Sequence, residues 1–202
     1  MDGQDYLNQI SASVRPEKKS KMSFMNSTIF KVIAGAVVAF IVIVIVGAII
    51  SGGKAGARDQ AISLKLNIDS TLSVISKFQP SVKSSDLRSS SASLYSVLSN
   101  TNRELTSFIT EQYDYNAKND DKKFADDVDL ERDGLESALF EAKINGVLDQ
   151  VYANKMAYVI SLISTKETSL YNATSNKELQ SLLTTSYSSL KNLYDKFSDF
   201  QK

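Results

Sequence analysis

From about residue 58 onward, apolar residues recur three and four positions apart, the spacing that places them on one side of an α-helix. The first stripe is Ala61, Leu64, Ile68, Leu72, Ile75 and Phe78, with Pro80 after it. Proline ends the helix because it lacks the backbone donor and clashes with the preceding turn. A second helix is predicted from about Ser84, with Leu87, Leu94, Leu98, Leu105, Ile109 and Tyr113 on one face. The polar cluster Lys118-Asn119-Asp120-Asp121 breaks it. The third periodic region, about 121–172, carries Phe124, Val128, Leu135, Leu139, Ala142, Ile144, Leu148, Val151, Tyr158 and Leu162. Gly134 and Gly146 are both candidate breaks there, so one helix or two fit the pattern. Ser175 and Glu178 have the spacing of a capping box and open a last helix with Leu179, Leu183, Tyr187, Leu190, Leu193 and Phe197. No stretch alternates as a strand would. Striped helices bury their stripes together, which predicts an all-α, antiparallel four-helix-type bundle over residues 58–202.

The N-terminal quarter follows another rule. Ile29 to Ile50 read IFKVIAGAVVAFIVIVIVGAII, and Val32 to Gly53 contain no charge. As a helix, 22 residues span roughly 33 Å, close to the hydrocarbon thickness of a bilayer. The β-branched run Ile41 to Val46 favours a strand in water, but lipid forces an isolated segment to satisfy its own backbone, which a helix does. Lys31 lies one turn inside and snorkels. Residues 29–50 are therefore expected to be a transmembrane helix, and the apolar run is too long for a cleaved signal peptide. Five basic residues lie at its N-terminal side (Arg15, Lys18, Lys19 and Lys21 before it and Lys31 just inside), against three soon after it (Lys54, Arg58 and Lys65). That bias predicts a cytoplasmic N-terminus and a C-terminal domain outside the cytoplasmic membrane. Residues 1–28 form a basic tail whose Tyr6, Leu7, Ile10 and Val14 make a short amphipathic stripe closed by Pro16. Residues 51–57, with Gly52, Gly53 and Gly56, read as a hinge. The pairs Gly35/Ala39 and Gly47/Ser51 have the small-residue spacing that permits a homodimer through the membrane helix.

Composition removes more chemistry than it suggests. The chain has no His and no Cys. Serine-protease triads, cysteine nucleophiles, His- or Cys-ligated zinc, iron–sulfur clusters and disulfides are thereby excluded. The 18 basic and 20 acidic residues after residue 53 leave no basic surface for nucleic acid. The densest acidic run, Asp126 to Asp133, mimics a calcium loop from Asp129, with Gly134 at its sixth position. Its twelfth position, which needs a bidentate Glu, is Phe140. A solvated helix start explains the run as well. No catalytic, cofactor-binding or metal residue is therefore expected. Tyr95, Tyr113, Tyr152, Tyr158, Tyr187 and Tyr194 read as core residues with the hydroxyl at the rim. The chain's 30 serines cluster on polar faces, notably Ser89, Ser90, Ser91 and Ser93, as solvated or partner-facing surface.

Three blocks carry a resemblance: Met1 to Ile10 (MDGQDYLNQI), Val82 to Tyr95 (VKSSDLRSSSASLY) and Leu139 to Tyr158 (LFEAKINGVLDQVYANKMAY). With them the chain resembles uncharacterised single-anchor membrane proteins of reduced-genome, candidate-phylum bacteria. That resemblance implies a bacterial envelope location and no activity. A fainter similarity to ferritin-like bundles is one of topology, because the Glu-x-x-His ligand motif is absent. The expected role is non-enzymatic, a structural or interaction component of the cell envelope, with the bilayer and a protein as partners. The alternative is a ligand-sensing bundle that signals through a cytoplasmic partner.

Overall fold

The computed structural model describes residues 54–200; the expected tail and transmembrane helix lie outside that range. The described residues form six α-helices and no strand: α1 (Lys54–Phe78), α2 (Ser85–Tyr113), α3 (Ala117–Asp120), α4 (Ala125–Ile144), α5 (Leu148–Ala173) and α6 (Lys177–Asp199). None of them is long and apolar enough to cross a membrane. Helix α1 already begins at Lys54, so the end of the stretch expected to be a hinge is helical, and Ala57 is buried.

The breaks have local causes. Pro80 sits in a 3-10 turn (Gln79–Ser81) directly after α1. The Ser84 side chain caps α2 by accepting from the Leu87 N–H at 3.3 Å. Helix α2 stops where Asp114 takes the left-handed conformation (φ 50°), and the Tyr115 N–H turns back to the Ile109 carbonyl at 3.3 Å. Helix α4 runs straight through Gly134 and stops at Gly146, whose φ of 73° suits a residue without a Cβ. There the Val147 N–H reaches the Ala142 carbonyl at 2.9 Å and the Gly146 N–H reaches Lys143 at 3.3 Å, a Schellman closure. The third periodic region is thus two helices. At α6 the expected Ser175 cap is displaced by one residue. Asn176 accepts from the N–H groups of Glu178 (2.9 Å) and Leu179 (3.0 Å), because its amide oxygen reaches both free donors.

Helices α1, α2, α6 and α5 close a ring in which α1 packs on α2, α2 on α6, α6 on α5 and α5 on α1. Every neighbouring pair in the ring is antiparallel. Asp69 of α1 accepts from Asn102 of α2 at 2.6 Å, and Thr101 of α2 donates to Ser186 of α6 at 2.9 Å. Ser169 of α5 donates to Gln60 of α1 at 3.2 Å. Helix α4 is an addition on the outside, packed against α1 and α5, and it buries only Leu139 and Ala142. At the end where α1 starts, Arg58 binds Asp120 (2.8 Å) and the Tyr113 carbonyl (3.2 Å), and Lys123 pairs with Asp59. At the opposite end, the Asp149 carboxylate accepts from the backbone N–H groups of Lys83 (2.9 Å) and Ser84 (2.8 Å), tying the α1–α2 turn to the start of α5. Lys77 pairs with Glu136 close to that end.

The stripes of α1 and α2 are buried as expected, with Leu72 and Tyr113 at the margin. The third region departs from its stripe. Ile144 and Tyr158 are exposed, and Tyr152, Met156, Ile160, Ile163 and Leu170 fill the core instead. The turn at Gly146 resets the helical phase, so a stripe drawn across it loses register. In α6, Tyr187 is exposed and Ser186 is buried in its place. Of the six tyrosines expected in the core, Tyr152 is fully buried, Tyr113 is partly buried and the other four are exposed. Ser91, expected on the polar surface, is buried, and its hydroxyl lies 2.5 Å from that of Tyr152.

Leu98 is fully buried and Leu130 is 76% exposed. Leu98→Ala should therefore lower the unfolding free energy by about 2–5 kcal/mol, and Leu130→Ala by less than about 0.5 kcal/mol. Urea melts of both variants check the contrast, and equal effects would reject the core described here.

Candidate functional site

The polar positions of the ring are where chemistry is concentrated. Two buried polar groups are spent locally: Asn67 donates to the Ser63 carbonyl (2.7 Å) and Thr71 to the Asn67 carbonyl (2.8 Å), both within α1. Three others face inward from three different helices. Thr101 of α2 and Ser186 of α6 are hydrogen-bonded to one another, and Glu167 of α5 is 1% exposed. The Ser186 hydroxyl is the one group that hydrogen-bonds toward the Glu167 carboxyl, and no other partner reaches either oxygen. Such a group is rare, because an unpaired charge in a low-dielectric interior is strongly disfavoured.

Burial accordingly pushes the Glu167 carboxyl up to about 7, with the Ser186 hydroxyl pulling weakly the other way. No charged side chain of α1, α2, α4 or α6 enters that balance. The next residue, Lys166, is a partial counterpart: burial lowers its amine, while Glu131 and Asp127 of α4 raise it. It donates a long hydrogen bond (3.4 Å) to Ser63 of α1. Tyr152, in the other buried polar pair, is pushed up to about 12 by burial, with Ser91 opposing, and stays neutral.

Thr101 and Ser186 also open outward. They line a groove between α2 and α6 of about 830 Å³ that is open to solvent. Val97, Phe108, Leu179 and Leu182 give it apolar walls, and Glu104, Glu111 and Glu178 bring carboxylates, with Arg103 as its basic residue. The hydroxyl pair thus lines the groove, and Ser186 also reaches the Glu167 carboxyl, which does not line it.

The acidic run that mimics a calcium loop is helical. Asp126 to Asp133 lie along the start of α4, Arg132 pairs with Asp129 (2.8 Å) and Asp133 (3.1 Å), and Phe140 is exposed. Among the described residues no group of three or more acidic side chains is gathered as a metal would require. Glu167 went unnoticed in the sequence, although one signal was present. It stands four residues after Ile163 and three before Leu170, a carboxyl at an apolar register position. No protein-family model, curated protein or solved structure matches the chain.

The titration has a definite sign. The folded-state value of about 7 lies above the ordinary Glu value of 4.5, so the folded chain binds the proton more tightly than the unfolded one. The associated stability is full below pH 4.5 and is lost as pH rises to about 7. The loss amounts to about 3 kcal/mol. Glu167→Gln should lack this fall, and urea melts of both proteins from pH 4.5 to 8 measure the difference. Parallel pH profiles would show that the carboxyl is not isolated.

Proposed function

We propose that this chain is a single-pass membrane protein whose helical bundle is displayed outside the cytoplasmic membrane as a non-enzymatic interaction component of the cell envelope, docking a protein. The uncharged run Val32 to Gly53 supports the anchor. The bias of basic residues to its N-terminal side supports the orientation. The possibility of pairing between two such membrane helices through Gly35/Ala39 and Gly47/Ser51 belongs to the same reading.

The observation that carries the docking role is an apolar patch at the tip of the bundle. Phe140 (58% exposed), Ile144 (69%) and Val147 (47%) follow one another at helical spacing through the end of α4 and its turn. They sit at the end of the bundle opposite Lys54, beside the Asp149 clasp. Contiguous exposed apolar residues of this kind mark interaction surfaces more often than single ones do.

Two measurements test the reading. A cysteine at the exposed Ser89 should react with a membrane-impermeant maleimide on intact cells, while one at Ser20 should not. The reverse pattern overturns the topology. A photocrosslinking residue at Ile144 should capture one discrete protein that the same residue at the exposed Lys191 does not. Adding Phe140→Ser should abolish the capture without lowering the melting temperature by more than a few degrees. Capture that survives Phe140→Ser, or is equal from both positions, removes the docking role from the tip.

A further inference from the structure

We infer that the outer face of α4 is a docking strip for a basic amphipathic helix of a partner protein, which lies along the length of α4 rather than touching the tip alone. This inference rests on the docking role of the tip and goes beyond it by fixing the partner's secondary structure and charge.

Helix α4 has two apolar sides, and the bundle uses one. Leu135, Leu139 and Ala142 face the core. On the other side Asp126, Leu130, Asp133, Ser137, Phe140 and Ile144 follow one another at alternating spacings of four and three residues, and all six are exposed. The exposed large apolar residues of α4 (Leu130, Phe140 and Ile144) all fall on this row. A four-three repeat is the contact line of two helices packed side by side, in which each side chain enters a gap of the facing helix. From Asp126 to Ile144 the row rises about 27 Å, a contact length of about two and a half heptads.

The charges beside the row select the partner. Its flanking positions hold Asp127 and Glu141 on one side and Asp129, Glu136 and Lys143 on the other. Over the whole helix seven carboxylates stand against two basic residues. Lys77 answers Glu136, and Arg132 answers Asp129 and Asp133. Asp126 and Glu141 make no ion pair among the described residues. Flanks of one sign call for the opposite sign on the facing helix. A second copy of α4 sets carboxylate against carboxylate in either direction, and an anionic lipid surface meets the same repulsion. Lysine or arginine on the partner's flanks removes it. Their long side chains also reach Asp126 and Asp133 within the row, while aliphatic residues cover Leu130, Phe140 and Ile144.

The test uses the full-length chain in phosphatidylcholine nanodiscs and a fluorescent synthetic helix of about three heptads, with leucine at the contact positions and lysine at the flanks. Its counterpart carries glutamate at the flanks, and the signal from empty nanodiscs is subtracted. Fluorescence anisotropy should show saturable binding of the lysine peptide at least about tenfold tighter than of the glutamate peptide, weakening as salt is raised. Leu130→Ser should weaken it several-fold, and Asp126→Lys with Glu141→Lys about tenfold. All three positions are exposed, so the variants should keep the parent's melting curve by circular dichroism. Should the double variant melt early, Glu141→Lys alone replaces it and should still weaken binding several-fold. The inference is overturned if the lysine peptide does not saturate, if the glutamate peptide binds as tightly, or if the folded variants bind like the parent. Binding lost with Phe140→Ser but kept with Leu130→Ser confines the contact to the tip; the docking role then stands and the helix along α4 is overturned.

Discussion

The fold depends on one seam of aliphatic side chains contributed by four helices. Ala61, Leu64, Ile68 and Ile75 of α1, Leu94, Leu98 and Leu105 of α2, Ile160 and Ile163 of α5, and Leu183 and Leu190 of α6 are buried together. With no cysteine and no histidine, the chain has no disulfide or zinc to cross-link it. Each large aliphatic residue taken from water contributes about 1.5–3 kcal/mol before the entropy of ordering is counted. The ion pairs at the surface, such as Lys77 with Glu136, add at most about 1 kcal/mol each and position helices more than they hold them.

Against that seam, buried polar groups are costs unless they are answered. The bundle answers them in two ways: Asn67 and Thr71 return to their own helix, while Ser91 with Tyr152 and Thr101 with Ser186 pair across helices. Glu167 stands out because the desolvation of its carboxyl is opposed only by the Ser186 hydroxyl. A hydrophobic residue of similar size at that position would pack as well without a desolvation penalty.

The apolar tip and the buried carboxyl sit apart. The tip is made by α4, the helix added outside the ring, while the groove and Glu167 belong to the ring. Helix α4 buries Leu139 and Ala142, packs Leu135 at the margin of the core, and leaves Leu130, Phe140 and Ile144 exposed. The ring has no such freedom, because its helices supply the core.

Periodicity alone was enough to read the helical class and the stripes of α1 and α2, because a 3.6-residue repeat over two dozen positions has one geometric meaning. It also placed Pro80 and Ser84 at their helix ends, where the backbone chemistry is local. It did not place Tyr187 outside and Ser186 inside, since positions three and four after Leu183 are both compatible with one face. Nor did it carry the stripe across Gly146, where a left-handed turn changes the phase. Which helices are neighbours, and hence that Thr101, Glu167 and Ser186 lie in one layer, was decided by tertiary packing alone. Those three residues are separated by 66 and 19 positions along the chain, and no local rule connects them. Charge neutralisation and burial are properties of the surroundings of a side chain, and those surroundings exist only once the helices have closed.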